Sequence, residues 1–209
     1  MVKKIVYYLF AWLTIPHIII FLISRSKTII HKDIESWWKH LGYKSFTFIR
    51  GGRREEALKL AWLLLFVKEY RNLFYLRIGK KKSIFLYYLP PLSSLYICTK
   101  SDCFGAGTFI QHGFSTIITA ERIGENCWIN QQVTIGYNDS QKYGYGRPTI
   151  GNNVRVAAGA KICGNITVGD NSTIGLNSVI IKDVPEGSTV IPSPMILIRE
   201  HDKRVNKTF

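Results

Sequence analysis

The chain has 209 residues and a mass of 23.9 kDa, room for one ordinary domain with an extension or for two small ones. With 46% apolar residues, 20% charged residues, and 28 Lys and Arg against 14 Asp and Glu, it is neither an acidic nor a charge-rich disordered chain. Four cysteines (Cys98, Cys103, Cys127 and Cys163) form no CxxC and have no histidine at zinc spacing, so neither a disulfide scaffold nor a structural zinc site is indicated; reduced thiols in a cytosolic setting are the simplest reading.

The formal charge of +14 is unevenly placed: residues 1–104 hold 18 basic and 6 acidic side chains, residues 105–209 hold 10 and 8. Basic charge among apolar stretches suits an anionic membrane better than a nucleic acid, for which no binding motif is present. A basic solvated surface is the plainer alternative. Ile5 to Ile23 carries no formal charge and as a helix would measure about 28 Å, enough to cross a bilayer. Against a simple crossing stand polar Thr14 and His17, a kink at Pro16, and basic flanks on both sides from Lys3, Lys4, Arg25, Lys27 and Lys32. A spanning helix, a re-entrant one, and a buried core or oligomer helix all remain open, whereas a cleaved signal peptide lacks its small-x-small site.

Further along, helical spacing predicts one helix over Asp33–Leu41, with Trp37 and Trp38, and a second over Arg53–Arg77. The second sets Lys59, Lys68, Arg71 and Arg77 beside Trp62, Phe66, Tyr70, Phe74 and Tyr75, which reads either as an interfacial helix with snorkelling cations or as a helix packed on the rest of the protein. Lys80 to Lys82 precede Ile84 to Leu89, and Pro90-Pro91 then breaks the chain. The expected division is a helical, membrane-associated region over residues 1–91, a second domain over 92–198 and a tail over 199–209.

From Ile123 onward a branched apolar residue recurs every six positions: Ile123, Ile129, Ile135, then Ile150, Val156, Ile162, Val168, Ile174 and Ile180. A small residue commonly follows each, and four places on stands a small or β-branched one. Period six fits neither a helix nor a continued strand. It requires a chain that turns after each short strand, so that three hexads close one triangular coil with the apolar residues stacked inside. The fold class is therefore α+β, a helical region followed by a parallel β-helix. The rhythm fails once, between Ile135 and Ile150, where a loop over residues 137–149 leaves the repeat for the surface.

The stretches Gly107–Phe114, Ile123–Gly136, Pro148–Asn153, Ala158–Ile162 and Ser178–Pro185 resemble the bacterial hexapeptide-repeat acyltransferases with a left-handed parallel β-helix. The resemblance covers about residues 98–198 and is sharpest to the serine-acetyltransferase-like branch, which includes the colanic acid and capsule O-acetyltransferases. It implies acetyl-CoA as acyl donor, a homotrimer and no metal, since His112 is the only histidine in the repeat region. Moving an acetyl group from a thioester to a hydroxyl needs a base, and imidazole titrates near neutrality. His112 stands where the family keeps its catalytic histidine. By the same resemblance Gly136 and Tyr137 at the loop root, Ala158 and Gly159 one coil on, Leu176 a coil further and Lys182 are expected to meet coenzyme A, with Arg199 or Lys203 near its phosphates. Gln111, Tyr145 and Arg147 are expected at the acceptor.

Serine acetyltransferases keep an aspartate before the base, a second histidine in the loop and another aspartate one coil earlier; here those places hold Gln111, Gly146-Arg147-Pro148 and Ile97. Losing two carboxylates removes the obvious partners of a serine ammonium. The expected function is thus O-acetylation of a sugar hydroxyl in a bacterial surface polysaccharide (capsule, exopolysaccharide or O-antigen) or its lipid-linked precursor, at the cytoplasmic face of the inner membrane. The alternatives are a serine O-acetyltransferase of cysteine biosynthesis and, from another class, a non-catalytic membrane-bound glycan-binding β-helix scaffold.

Overall fold

The computed structural model describes residues 2–42, 52–139 and 145–192, and the backbone of 196–200 and 203–208. Six helices come first: α1 (Val2–Phe10), α2 (Ile15–Ile23), α3 (Lys27–His40), α4 (Gly52–Phe66), α5 (Lys68–Ile78) and α6 (Lys80–Ser83). A 3-10 turn over Ala11–Thr14 joins α1 to α2, and Pro16 lies in the first turn of α2, where a missing N–H breaks no helical bond. The single helix expected over Arg53–Arg77 is two, because Val67 is extended (φ −126°, ψ 99°) between α4 and α5. That break leaves the last carbonyls of α4 without intrahelical donors. Arg71 supplies them: its guanidinium donates to the Leu64 and Leu65 carbonyls at 2.6 and 2.9 Å and to that of Pro90 at 2.6 Å.

The snorkelling reading does not hold for three of the four cations: Arg71, Arg77 and Lys59 are buried, Lys59 bonded to Glu35 at 2.9 Å and to Glu55 at 3.2 Å, while Lys68 is exposed. Trp37, Leu60, Leu63, Leu64, Tyr70, Leu73 and Phe74 form the helical core with them.

Thirteen short strands follow: β1 (Leu95–Ile97), β2 (Phe109–Ile110), β3 (Thr116–Ile118), β4 (Arg122–Ile123), β5 (Trp128–Ile129), β6 (Thr134–Gly136), β7 (Thr149–Ile150), β8 (Arg155–Val156), β9 (Lys161–Cys163), β10 (Thr167–Val168), β11 (Thr173–Ile174), β12 (Val179–Ile180) and β13 (Thr189–Val190). All pair in parallel, in three faces ordered β1-β3-β6-β9-β12, β4-β7-β10 and β2-β5-β8-β11-β13. The chain visits the β4 face, then the β5 face, then the β6 face in each coil, which is the triangular path that a six-residue period demands.

All nine column residues from Ile123 to Ile180 are buried, and each buried aliphatic side chain contributes about 1.5–3 kcal/mol. At the corner after the β4 face the coils press so closely that a Cβ on Gly124 would meet the backbone of Gly151. At the corner before the β6 face, Gly159 takes φ +75° and lies over the Asn177 side chain. Partners 18 residues apart in a regular coil, such as Ile150 and Val168, become 27 apart between Ile123 and Ile150, so the loop between β6 and β7 adds nine residues. Where a tail was expected, β14 (Ile196–Glu200) and β15 (Lys203–Thr208) pair as an antiparallel hairpin.

The helices close the open end of the β-helix. Arg77 pairs with Asp33 at 2.8 Å, both side chains at most 1% exposed, and donates to the carbonyls of Ser101, Phe104 and Gly105 in the first coil. The second Asp33 oxygen accepts the Gly107 N–H at 2.7 Å, and Trp37 Nε1 donates to the Thr108 carbonyl at 2.8 Å. Burial pushes the Asp33 carboxyl up from its usual range, against the pull of Arg77.

Candidate active site

The corner that leads from the β5 face to the β6 face has four residues in regular coils, as between Ile129 and Thr134 or between Val156 and Lys161. In the first coil, between Ile110 and Thr116, it has five. His112 lies in this enlarged corner, at φ 53°, a left-handed conformation uncommon for a residue with a side chain. Its carbonyl accepts the Phe114 N–H at 2.6 Å, and the Gln111 N–H donates to the Ile129 carbonyl at 2.8 Å, which fixes the corner on the coil below. The imidazole is exposed and has no hydrogen-bond partner among the described residues.

Successive coils stack the same corner beneath it, so His112 heads a groove of about 460 Å³ that also takes in Asn130, Gln131, Ala157, Ala158 and Leu176. The wall beside them comes from outward positions of the β5 face. Trp128 Nε1 and Asn130 Nδ2 both donate to Gln111 Oε1 at 3.1 Å. The Arg155 guanidinium lies over the Trp128 ring at 4.3 Å from its centroid, and the ring meets His40 of α3 edge-on at 4.9 Å. The groove wall is thus braced from the helical half. The Gln131 side-chain oxygen is buried with no hydrogen-bond partner.

Of the residues singled out from the sequence, Gln111, His112, Ala158 and Leu176 meet in this groove. The Gln111 side-chain oxygen is taken up by Trp128 and Asn130. Gly136, Tyr137, Tyr145, Arg147, Gly159 and Lys182 do not line it. The loop leaves at the next corner, between the β6 and β7 faces. There Asn138 and Gly146 exchange two backbone hydrogen bonds of 3.0 Å, and the exposed rings of Tyr137 and Tyr145 meet edge-on at 5.3 Å. Tyr143 and the side chains of Arg199 and Lys203 lie outside the described residues. Asn130, Gln131, Arg155 and Thr173 line the groove without having been picked out. The signal was available: Asn130 and Gln131 hold the corner one coil below Gln111 and His112, and Arg155 and Thr173 pair in register with Trp128 along one face.

Residues 147–182 match the family model described as bacterial transferase hexapeptide (six repeats), a match confined to part of the β-helix. Among individual proteins the chain is similar to serine acetyltransferases. It is 43% identical over 106 residues to that of Staphylococcus xylosus, covering 50% of this chain and 49% of that one, and 42% identical over 106 residues to that of Staphylococcus aureus. The chain spans about half the length of the curated relatives it matches. Among solved structures, the serine acetyltransferase of Brucella abortus strain S19 superposes with a TM-score of 0.55 at 25% identity, over 79% of this chain and 66% of that one. That of Neisseria gonorrhoeae superposes with a TM-score of 0.58 at 23% identity, over 81% and 66%, a likeness of fold.

These relatives correct the expectation of a polysaccharide sugar as acceptor, because the curated and structural neighbours alike are serine acetyltransferases. The expectation rested on missing carboxylates. In the structure Ile97 lies on β1 in register with Ile118, away from the groove, and Gln111 belongs to the wall. The Arg155 guanidinium, a group suited to a carboxylate, is among those that line the groove.

Proposed function

We propose that the chain is a serine O-acetyltransferase that uses acetyl-CoA and has His112 as its general base. The observation that carries this reading is the meeting, in one groove, of an imidazole with no hydrogen-bond partner among the described residues and the Arg155 guanidinium. Arg155 pairs with the serine carboxylate. That pairing aims the serine hydroxyl at His112. The imidazole takes the hydroxyl proton as the oxygen attacks the thioester carbonyl, and returns it to the departing thiolate of CoA when the C–S bond breaks. Small side chains at Ala157 and Ala158 let a pantetheine arm approach the coil backbone.

The groove opens to one side of the coil and the long loop stands at the neighbouring corner of the same chain. A homotrimer, in which the loop of one copy reaches the groove of the next, gives Tyr137, Tyr145 and Arg147 their place at the acceptor and Gly136 and Lys182 theirs along the cofactor. The test is release of CoA thiol by the full chain with acetyl-CoA and L-serine. Serine-dependent release that His112→Ala removes is the expected result; release no faster with serine than without it ends the reading.

A further inference from the structure

Among the described residues Ile5–Ile23 is the one helical stretch long and apolar enough to cross a membrane. Its two sides are the reverse of what water selects. The side turned inward carries Tyr7, Thr14, His17 and Phe21, all buried. Thr14 Oγ1 donates to the Ala11 carbonyl at 2.7 Å, His17 Nε2 lies 3.1 Å from the Tyr75 hydroxyl, and Tyr7 packs on Trp62 of α4 with ring centroids 5.4 Å apart. The side turned outward is Ile5, Tyr8, Trp12, Ile15, Ile19 and Leu22, at alternating three- and four-residue steps that put them in one stripe.

Beside the stripe lies the 3-10 turn Ile84–Leu86, held there by the Tyr88 hydroxyl, which donates to the Leu13 carbonyl at 2.7 Å. That turn points Phe85, 81% exposed, into solvent together with Ile84, Tyr87 and Tyr88. Exposed Lys80, Lys81 and Lys82 immediately precede it, and exposed Lys3 and Arg25 stand at the two ends of the stripe. No acidic residue occurs in residues 1–32 or 70–101. A contiguous apolar surface of this kind marks an interaction site.

We propose that this surface docks on an anionic lipid bilayer with Ile5–Ile23 lying in the plane of the interface. The stripe enters the boundary between headgroups and acyl chains, Tyr8, Trp12, Phe85 and Tyr88 sit at headgroup level, and Lys80 to Lys82 meet lipid phosphates. A crossing would strip the inward side from α4 and α5 and leave Thr14 and His17 in hydrocarbon. A two-fold contact with a second copy would bring the lysines of both copies together with no carboxylate to pair them.

Flotation of the detergent-free full chain with vesicles of phosphatidylcholine, with or without phosphatidylglycerol, tests this. The chain floats with phosphatidylglycerol vesicles. Lys80→Glu/Lys81→Glu/Lys82→Glu weakens that binding by about a hundredfold, as does high salt. Trp12→Glu/Phe85→Glu abolishes it, while circular dichroism shows both variants folded. A chain that stays unbound to anionic vesicles overturns the proposal, as does binding indifferent to the lysines, or a lipid-free dimer that Trp12→Glu splits.

Discussion

In the β-helix every coil repeats one solution, whereas in the helical half no contact is used twice. The column from Ile123 to Ile180 is built of branched side chains that are all buried, stacked in register from coil to coil. The helical half depends on particular groups: Arg71 closing the end of α4, and Asp33 with Arg77 fitted onto the carbonyls of the first coil. A repeat can lose one member and keep its pattern. A unique buried pair has no substitute, and here it also seals the exposed end of the coil stack.

Arg77→Met tests that difference most severely. It leaves the Asp33 carboxylate buried without its cation, and a broken buried pair costs about 3–5 kcal/mol, read as a fall in denaturant midpoint at neutral pH. Burial is then opposed only by the Gly107 N–H, so the folded-state pKa of Asp33 rises further above the unfolded value. The folded variant binds a proton that the unfolded chain releases. Its deficit against the parent is therefore full above that raised pKa and shrinks as the pH falls through it.

In the repeat, Ile162→Ala is expected to cost about 2–5 kcal/mol, and Ile129→Ala much the same, because both sit in equivalent walls of the column. Unequal costs in thermal or denaturant unfolding would break the claim that the coils are interchangeable. The smallest effect belongs to a surface contact between the halves, the half-exposed pair of Lys32 and Glu125 at 3.4 Å. Lys32→Ala should change stability by no more than about 1 kcal/mol. A large loss there would mean that the halves are joined by their surfaces and not by the buried plug.

The same contrast explains what could be read from the residues alone. A period of six over nine positions has one physical solution, so the β-helix, its column and its interrupting loop were legible before any coordinates. The position of His112 was legible too, as the sole histidine of the repeat. Its neighbours in the groove were not, because Gln131 and Arg155 are ordinary polar residues until the corners are stacked. Arg71 and Arg77 misled for a related reason: a cation among aromatic residues looks interfacial unless the carbonyls it will meet, dozens of residues away for Arg77, are known. The acceptor was misjudged by resting on two lost carboxylates, when the residues that line the groove come from corners brought together only by stacking of the coils.

The central claim is that one corner of one coil, the enlarged turn that holds His112, carries the chemistry. The most direct measurement is kcat for serine-dependent CoA release by His112→Ala beside the parent, with thermal unfolding of both. The account predicts a fall of about 10²- to 10⁴-fold in kcat at a midpoint little changed, since the exposed ring has no hydrogen-bond partner among the described residues. A variant that keeps the parental rate would contradict it.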